Sequence, residues 1–493
     1  MGRFLVWGKW VCWIVSAVGL LVCLWQLEAE RFSVAEQRID TRAGPVSIYS
    51  DPGISGGPLV VVTHGFAGSR QMMLYISRDL ARAGFTVAAF DYYGHGRNTD
   101  KLSPDVTRIE GTTQQLIEQT QLATKAVRDH LGQTGPMAFL GHSMATDVVI
   151  RAADGMAGVA AIVAISMYSD AVTADFPARL LILSGEWEGR LRDVGLRVLR
   201  QVDEAAVEGE TAQTGSVLRR AVSVPQTEHV AVLFSPVTMK ETRDWLQAAL
   251  PTSGEARPQT RGLQIALALA AIVVLIWPAS RLLPMQSPGS ETLPLSSFSG
   301  AIALPVLPAV AATILAPGSL FGFAAFGSLT LFLAVWGGVA LGVLWWAGVR
   351  PTRPRLAACL FLLIWALGGF ALALDRYGAA FVPVGPRAGL MLVLLIGTIP
   401  FALADRLLVA GASLWRRITA RAVPVIALGV AMALSPQSMG LSFSVLPVMV
   451  LFYVVYGTMA RAVAHRAGPE AAGLALGIVL AWSIAASTPL FGT

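Results

Sequence analysis

Gly141-His-Ser143-Met-Ala145 decides the fold of the first half of the chain through what lies on either side of it. Pro136–Leu140, directly before it, is a short apolar run typical of a buried strand, and the residues after Ser143 have the pattern of a helix. A strand, a sharp turn and a helix in this order expose a serine side chain at the turn, where it can act as a nucleophile. The small residues Gly141 and Ala145 let strand and helix pack closely, although glycine is the usual residue at the last position.

Similar short runs continue on both sides of this motif. Strands that are apolar on both faces and alternate with helices predict an α/β fold with a doubly wound, mostly parallel sheet. The predicted strands are Leu59–Thr63, Phe85–Phe90, Pro136–Leu140, Val159–Ile165, Leu180–Leu183 and Ala221–Val224. The predicted helices are Arg70–Ala83, Ile109–Leu131, Met144–Ala153 and Val237–Leu250.

A general base is predicted at His229. In this arrangement of elements the nucleophile is followed along the chain by an acid and then by a histidine. Two histidines follow Ser143, and one of them, His465, lies beside Arg466 between apolar runs. His229 therefore remains, in a segment that follows a predicted strand and precedes a predicted helix.

Two glutamates compete for the role of the acid. The segment after the strand Leu180–Leu183 reads Ser184-Gly-Glu186-Trp-Glu188. Many hydrolases have Gly-x-x-Asp after this strand, and Glu188 falls on the Asp position, so Glu188 is favoured and Glu186 is the rival. Glutamate is a known substitute for aspartate in this role.

Backbone groups are predicted to stabilise the oxyanion that forms during acyl transfer. The strand Leu59–Thr63 is followed by His64-Gly65-Phe66. In this kind of fold, the loop there supplies one N–H group and the residue after the nucleophile supplies the other, which assigns these roles to Phe66 and Met144. Gly65 allows a close approach of the backbone, and the His64 side chain is expected only to brace the loop.

The motifs over residues 45–250 resemble the α/β-hydrolase superfamily, in its lysophospholipase-like or serine-aminopeptidase-like branch. The resemblance implies a serine hydrolase with a Ser-acid-His triad and no cofactor or metal. Ala145 in place of glycine and Glu188 in place of aspartate depart from the family pattern. The motifs are His64-Gly-Phe66, Asp91-Tyr-Tyr-Gly-His-Gly96, Gly141-His-Ser-Met-Ala145, Gly185-Glu-Trp-Glu188 and His229.

Composition predicts that much of the chain is embedded in a membrane. Of the 493 residues, 54% are hydrophobic and 14% are charged, whereas soluble domains carry about 25% charged residues. Trp10–Leu27 is apolar and follows Arg3 and Lys9, and it favours an uncleaved signal anchor over a cleaved signal peptide. Eight further apolar runs are long enough to cross a bilayer. They lie near 262–278, 299–316, 321–347, 356–374, 388–410, 422–436, 441–460 and 470–489.

Four parts are therefore predicted: an anchor over 1–31, a hydrolase domain over 32–250, a polar linker over 251–261 and a transmembrane helical domain over 262–493. The long run 321–347 is expected to be tilted or partly re-entrant. With the N-terminus inside, most arginines between later spans fall on the inner side, as the positive-inside rule requires. The same count puts the hydrolase domain outside the cytoplasm. The arginines counted inside are Arg281, Arg350, Arg353, Arg355, Arg416, Arg417, Arg421, Arg461 and Arg466.

The composition also argues against several other classes of protein. The net charge is +6, but no lysine follows Lys240 and the later arginines lie between apolar runs, so nucleic-acid binding is not expected. Cys12, Cys23 and Cys359 all lie in apolar stretches, which excludes a disulfide framework or a cysteine nucleophile in the hydrolase domain. The residues show no metal-ligand spacing.

Two functions of different classes remain. The first is a membrane-bound serine hydrolase that cleaves acyl esters of lipid-like or bulky molecules, or an acyltransferase that uses the same acyl-enzyme. The second is a transporter or sensor whose hydrolase-like domain only binds its ligand. The first is favoured, because a binding domain has no chemical need for serine, acid and histidine together. The expected partners are the lipid bilayer and an acyl substrate, and the oligomeric state stays open.

Overall fold

The computed structural model describes residues 2–54, 56–252, 254, 260–285, 292–316 and 320–492. The chain forms two compact units. The α/β unit comprises Cys23–Ala266 with Arg376–Ala380, and the helical unit comprises Met1–Val22, Leu267–Asp375 and Phe381–Thr493. The predicted linker 251–261 lies in large part outside the described residues, since 253 and 255–259 are not among them.

A nine-stranded sheet forms the centre of the α/β unit, in the order β1-β2-β4-β3-β5-β6-β7-β9-β8. The pairs β1/β2, β2/β4 and β8/β9 are antiparallel, and the other five pairs are parallel. The predicted α/β class with a mostly parallel sheet is therefore confirmed. The strands are β1 (Ala35–Thr41), β2 (Gly44–Ser50), β3 (Leu59–Thr63), β4 (Thr86–Phe90), β5 (Met137–His142), β6 (Val159–Ile165), β7 (Arg179–Gly185), β8 (Thr211–Thr214) and β9 (Val217–Val224).

Helices cover both faces of this sheet. The crossover from β3 to β4 runs in the opposite direction to those from β4 to β5 and from β5 to β6. Since such crossovers are right-handed, α2 packs on one face, where it contacts α6, and α3 and α4 pack together on the other. The order of strands thus reverses at β3, and ligands of open α/β sheets bind at the carboxyl ends of the strands at such a point. The helices are α2 (Leu74–Arg82), α3 (Gln114–Leu131), α4 (Met144–Asp154), α5 (Gly189–Arg200) and α6 (Pro236–Ala249).

The structure adds elements that the sequence patterns did not predict. These are β1, β2, β8 and α5, and a π-helical turn, Ile109–Thr113, begins the predicted helix before α3. Strand β1 is almost wholly exposed and β8 is short, so neither carries the apolar run used to predict the central strands. All six predicted strands are confirmed to within a few residues.

The helical unit is built from long apolar helices. Over the described residues, nine helices of the chain are long and apolar enough to cross a membrane, the first being Trp10–Arg31. The helices are α1 (Gly2–Arg31), α7 (Gly262–Ala279), α8 (Leu295–Ala303), α9 (Val306–Leu315), α10 (Phe326–Trp346), α11 (Leu356–Leu363), α12 (Leu372–Tyr377), α13 (Pro386–Val409), α14 (Leu414–Leu434), α15 (Pro436–Met439), α16 (Val445–Ala467) and α17 (Pro469–Ser487).

Two of the predicted spans are corrected by the helix bounds. The helix in the run 321–347, α10, begins at Phe326 and has 21 residues, an ordinary spanning length, so this span is shorter than predicted. The span predicted at 422–436 begins earlier, at Leu414. Hydropathy alone missed this first part of α14, because three arginines interrupt its apolar residues.

Candidate active site

The turn between β5 and α4 holds Ser143 in a conformation that most residues avoid. Its φ of 55° and ψ of −123° lie outside the helical and extended regions. The Ser143 N–H donates to the carbonyl oxygen of Ile165 at 2.8 Å, and its own carbonyl accepts from the Thr146 N–H at 2.9 Å. A Cβ atom at Gly141 would come within 2.7 Å of the Ala145 carbonyl oxygen, so the strand and the helix can meet here only with glycine at this position.

Three side chains from separate elements form a continuous chain of hydrogen bonds. The Ser143 hydroxyl lies 2.8 Å from Nε2 of His229, and Nδ1 of His229 lies 2.5 Å from Oε1 of Glu188. The carboxylate accepts a hydrogen bond from the Nδ1–H, which leaves Nε2 free to accept a hydrogen bond from the hydroxyl. Serine follows β5, Glu188 follows β7 and His229 follows β9, so the three meet at the carboxyl edge of the sheet.

Glu188 is held by more than its histidine. Its Oε2 accepts from the Ser166 hydroxyl and from the Gly185 N–H, both at 2.7 Å. Burial alone would raise the pKa of the Glu188 carboxyl, but the hydrogen bonds from His229, Ser166 and Gly185 outweigh it and hold the pKa below its ordinary value. This keeps the carboxylate charged at neutral pH.

Glu186, the rival acid, has a different partner. Its Oε2 accepts from the backbone N–H of Gln226 at 2.7 Å, and the side chain supports the loop before His229. The structure therefore brings Glu188 together with the histidine and assigns Glu186 to the neighbouring loop.

His142 is a site residue that the sequence reasoning passed over. Its Nε2–H donates to the carbonyl oxygen of His229 at 2.8 Å, and the two rings lie 4.9 Å apart. Burial, together with the nearby His229 ring, lowers the pKa of His142 to about 4, so the ring is neutral and a fixed donor. The signal was available, because His142 stands between Gly141 and Ser143 and ends a strand beside the predicted loop.

The predicted oxyanion loop lies against the nucleophile. A Cβ atom at Gly65 would come within 2.8 Å of the Ser143 Cβ, which explains the glycine. The Gly65 carbonyl oxygen accepts from the Gly68 N–H at 3.0 Å and from Nδ1 of His64 at 2.8 Å. Because a peptide unit is planar and trans, fixing this carbonyl also fixes the opposite direction of the Phe66 N–H. Met144 is the first residue of α4, where a backbone N–H has no acceptor within its own helix.

His64 braces this loop, as expected. Its Nε2 accepts from the Tyr92 N–H at 3.1 Å while Nδ1 donates to the loop, so the ring carries one proton. Burial lowers the pKa of His64, in keeping with a neutral ring, and its 4.0 Å approach to Asp91 is therefore not an ion pair. Asp91 instead accepts from the backbone N–H groups of Arg70 and Arg97 at 2.8 and 3.1 Å. The Gly-rich turn after β4 is thus tied to the same loop.

The triad is open to solvent. The His229 side chain is 44% exposed, and Tyr168 and Trp187, on the loops after β6 and β7, are 72% and 68% exposed. The connection from Ile165 to Arg179 contains no helix. The edge of the site around His229 is therefore accessible to a ligand.

A family model described as "Serine aminopeptidase, S33" matches residues 57–191. The match begins just before β3 and includes the predicted oxyanion loop, the turn at Ser143 and Glu188. The predicted resemblance to the α/β-hydrolase superfamily and its serine-aminopeptidase-like branch is confirmed. The chain thus contains a hydrolase fold of the serine-hydrolase type. No curated protein matches this chain.

Many solved structures are similar to this chain. A protein from Thermus thermophilus is 18% identical, with a TM-score of 0.33, and the alignment covers 44% of this chain and 99% of that one. A dienelactone hydrolase from Anabaena variabilis is 16% identical, with a TM-score of 0.35 and the same two coverages. A thermophilic esterase from Thermogutta terrifontis is 14% identical, with a TM-score of 0.32, and again covers 44% and 99%.

Proposed function

We propose that this chain is a membrane-bound serine hydrolase that cleaves acyl esters through an acyl-enzyme on Ser143. The observation that carries the proposal is the unbroken hydrogen-bond chain from the Ser143 hydroxyl through His229 to Glu188. A domain that only bound its ligand would not need an imidazole placed between a hydroxyl and a charged carboxylate.

In the proposed reaction, the Ser143 oxygen attacks the acyl carbonyl carbon while Nε2 of His229 takes the hydroxyl proton. Glu188 stabilises the imidazolium that results and keeps its orientation. The imidazolium then gives the proton to the leaving alcohol oxygen as the ester bond breaks. A water molecule, deprotonated by the same nitrogen, releases the carboxylic acid and restores the serine.

The carbonyl oxygen gains negative charge in both steps. We assign its stabilisation to the backbone N–H groups of Phe66 and Met144, the first on the braced loop and the second at the positive end of α4. Each such donor contributes about 2.7–4 kcal/mol to transition-state stabilisation. Gly65 and Gly141 permit the close packing that this arrangement needs.

Esters with apolar or bulky acyl groups are the proposed substrates. The loops that carry the triad also expose the apolar side chains of Tyr168, Trp187 and Val230. Exposed apolar groups beside an open site favour a lipid-like or otherwise bulky substrate. The name of the matched family makes an aminopeptidase the alternative that the substrate panel has to exclude.

The proposed location is the cell membrane, with the hydrolase domain outside the cytoplasm and the bilayer as a partner. The anchor 1–31, the domain 32–250 and the helical domain 262–493 remain the proposed parts. Within the α/β unit, Nε and Nη2 of Arg376 donate to the two oxygens of Glu28, each at 2.6 Å. This pair joins the end of α1 to the end of α12, as expected if both ends emerge on the outer side.

The test is hydrolysis by the detergent-purified full chain of p-nitrophenyl esters from acetate to dodecanoate, beside aminoacyl p-nitroanilides. We expect ester cleavage that rises with chain length and falls to background in Ser143→Ala. A folded wild type that cleaved none of the esters would refute the proposal. Cleavage of the anilides in preference to the esters would replace the esterase assignment by a peptidase.

A further inference from the structure

A cavity of about 860 Å³ lies within the helical unit, between α14 and α16. Its lining residues on α14 recur every three or four positions from Leu414 to Ile426, and those on α16 recur in the same way from Val450 to Ala464. This spacing means that one continuous face of each helix borders the cavity. The cavity is therefore an elongated cleft, which we call the α14–α16 cleft.

One end of the α14–α16 cleft is strongly basic. Arg417 and Arg421 come from the start of α14, Arg461 from the end of α16 and Arg406 from the end of α13. Asp405 accepts from Arg421 at 3.3 Å and neutralises one of these four charges, but none of the described lining residues is acidic. The basic end of the α14–α16 cleft thus carries an excess of positive charge.

Two polar groups are buried where the basic end meets the rest of the cleft. Arg406 is 4% exposed and Tyr453 is 8% exposed, and both line the cleft. Over the part of the chain that the structure describes, Nε of Arg406 and the Tyr453 hydroxyl have no hydrogen-bond partner. Most buried donors in proteins have a hydrogen-bond partner, so these two point to a ligand with acceptor oxygens.

Neighbouring residues at the basic end leave space for the Arg421 side chain. A Cβ atom at Gly457 would lie 3.3 Å from Nη1 of Arg421, so the absence of a side chain gives the guanidinium its place. The same guanidinium lies 4.9 Å from the centre of the Tyr453 ring. These contacts hold Arg421 at the edge of the cleft.

The other end of the cleft is aliphatic. Ile426 on α14 and Val450 and Val454 on α16 line it, and they are 64%, 52% and 62% exposed. Both helices are long and apolar enough to cross a membrane, so this end lies at the depth of the acyl chains if they do. A cleft with one basic end and one aliphatic end matches the phosphate headgroup and the acyl chains of an anionic phospholipid.

We propose that the α14–α16 cleft binds an anionic glycerophospholipid, with its phosphate at Arg406, Arg417, Arg421 and Arg461 and an acyl chain along Val450, Val454 and Ile426. Basic pockets between transmembrane helices at the cytoplasmic face bind anionic headgroups in this way. The topology count puts three of these arginines, Arg417, Arg421 and Arg461, on the cytoplasmic side. This site is separate from Ser143 and does not depend on the proposed hydrolase activity.

Native mass spectrometry of the full chain in detergent tests the proposal with three probes: dioleoylphosphatidylglycerol, dioleoylphosphatidylcholine and inorganic phosphate. We expect phosphatidylglycerol to bind the wild type about tenfold more tightly than phosphatidylcholine. Arg417→Gln/Arg461→Gln should weaken phosphatidylglycerol binding about tenfold. The matched control Arg42→Gln/Arg353→Gln removes two exposed arginines outside the cleft and should bind like the wild type.

Equal binding of the two lipids, or phosphatidylglycerol binding unchanged by Arg417→Gln/Arg461→Gln, would overturn the proposal. Phosphate binding as tight as that of phosphatidylglycerol would instead identify a site for a soluble anion. Val454→Trp keeps all the charges and fills the aliphatic end at an exposed position, so it covers the case in which the double variant misfolds. We expect it to weaken phosphatidylglycerol about fivefold, the equivalent of one or two buried methylenes, and unchanged binding would contradict the placement of the acyl chain.

Discussion

The candidate active-site loops of the α/β unit and the α14–α16 cleft of the helical unit use polar groups in opposite ways. In the loops, Glu188 accepts three hydrogen bonds and His229 is held on both ring nitrogens. In the cleft, Arg406 and Tyr453 keep polar atoms unpartnered among the described residues. A group that moves a proton must be fixed in one geometry, whereas a binding site must keep donors for its ligand.

The two regions also differ in backbone conformation, which is irregular in the active-site loops and helical in the cleft. Ser143 and Ser166 each follow a strand directly and have positive φ, as does Gln226 just after β9. In the cleft, α14 and α16 run as helices through every residue that they contribute to the lining. Unfavourable backbone conformations are therefore concentrated where side chains must meet at fixed distances, as is common at active sites.

The largest effect should come from replacing Glu188, whose carboxylate accepts three hydrogen bonds. Glu188→Gln removes the charge that orients His229 and stabilises its imidazolium, so kcat for p-nitrophenyl butyrate should fall about a thousandfold or more. Glu186→Gln is the matched control, since this carboxylate accepts from Gln226 and not from the histidine, and it should stay within about twofold of the wild type. Equal losses in the two variants would remove Glu188 from the triad.

Gly65→Ala tests whether the loop must lie against the nucleophile. The new Cβ would be 2.8 Å from that of Ser143, so one of the two has to shift, and kcat should fall about a hundredfold. A Cβ at Gly135 meets no heavy atom within 4 Å, and Gly135→Ala should therefore have the activity of the wild type. An active Gly65→Ala would show that the loop does not position an oxyanion donor.

His142→Phe removes the donor to the His229 carbonyl and should lower kcat about tenfold. His142→Gln keeps a donor and should recover most of this loss. The pKa of His142 is about 4 in the folded protein, below its ordinary value of 6.5. Between pH 4 and pH 6.5, this ring is therefore protonated in the unfolded state but not in the folded state. The wild type should therefore lose stability as the pH falls from 6.5 to 4, and His142→Phe should lose less.

Thermal unfolding in detergent measures this dependence for the three proteins. Parallel pH profiles for the wild type and His142→Phe would show that the ring titrates normally. Such profiles would contradict the conclusion that the His142 ring is a neutral, fixed hydrogen-bond donor.

The smallest effect should come from the cleft. Gly457→Ala adds a Cβ 3.3 Å from Nη1 of Arg421, and a small displacement of this guanidinium should weaken phosphatidylglycerol binding about threefold. Gly338→Ala, whose Cβ would meet no heavy atom within 4 Å, is the control. Ester hydrolysis should be unchanged in both variants, and a loss of hydrolysis in Gly457→Ala would show that the two regions are coupled.

The central fold was predictable because its signals are local. Parallel strands buried on both faces read as apolar runs, and the turn at Ser143 requires small neighbours that the sequence displays. Strand β1 was missed because it is an exposed edge strand without an apolar run. The choice of Glu188 over Glu186 rested on spacing, but the hydrogen bonds of Ser166 and Gly185 to Glu188 depend on tertiary structure.

The α14–α16 cleft was not predictable at all. The arginines at 416, 417 and 421 read as a basic loop, whereas the first turns of α14 contain them. The convergence of Arg417 and Arg421 with Arg406 and Arg461 depends on how three helices pack, which periodicity does not encode. In the sequence, Tyr453 likewise looks like any aromatic residue of an apolar helix, although its hydroxyl has no hydrogen-bond partner among the described residues.

The most direct test of the account is covalent labelling of the purified full chain by a fluorophosphonate probe, which reacts only with an activated serine. Wild type, Ser143→Ala and His229→Ala are compared, with binding of phosphatidylglycerol as the measure that each protein is folded. The account predicts strong labelling of the wild type and none of either variant, with lipid binding unchanged in all three. A wild type that binds lipid but does not label would contradict the assignment of a working serine nucleophile.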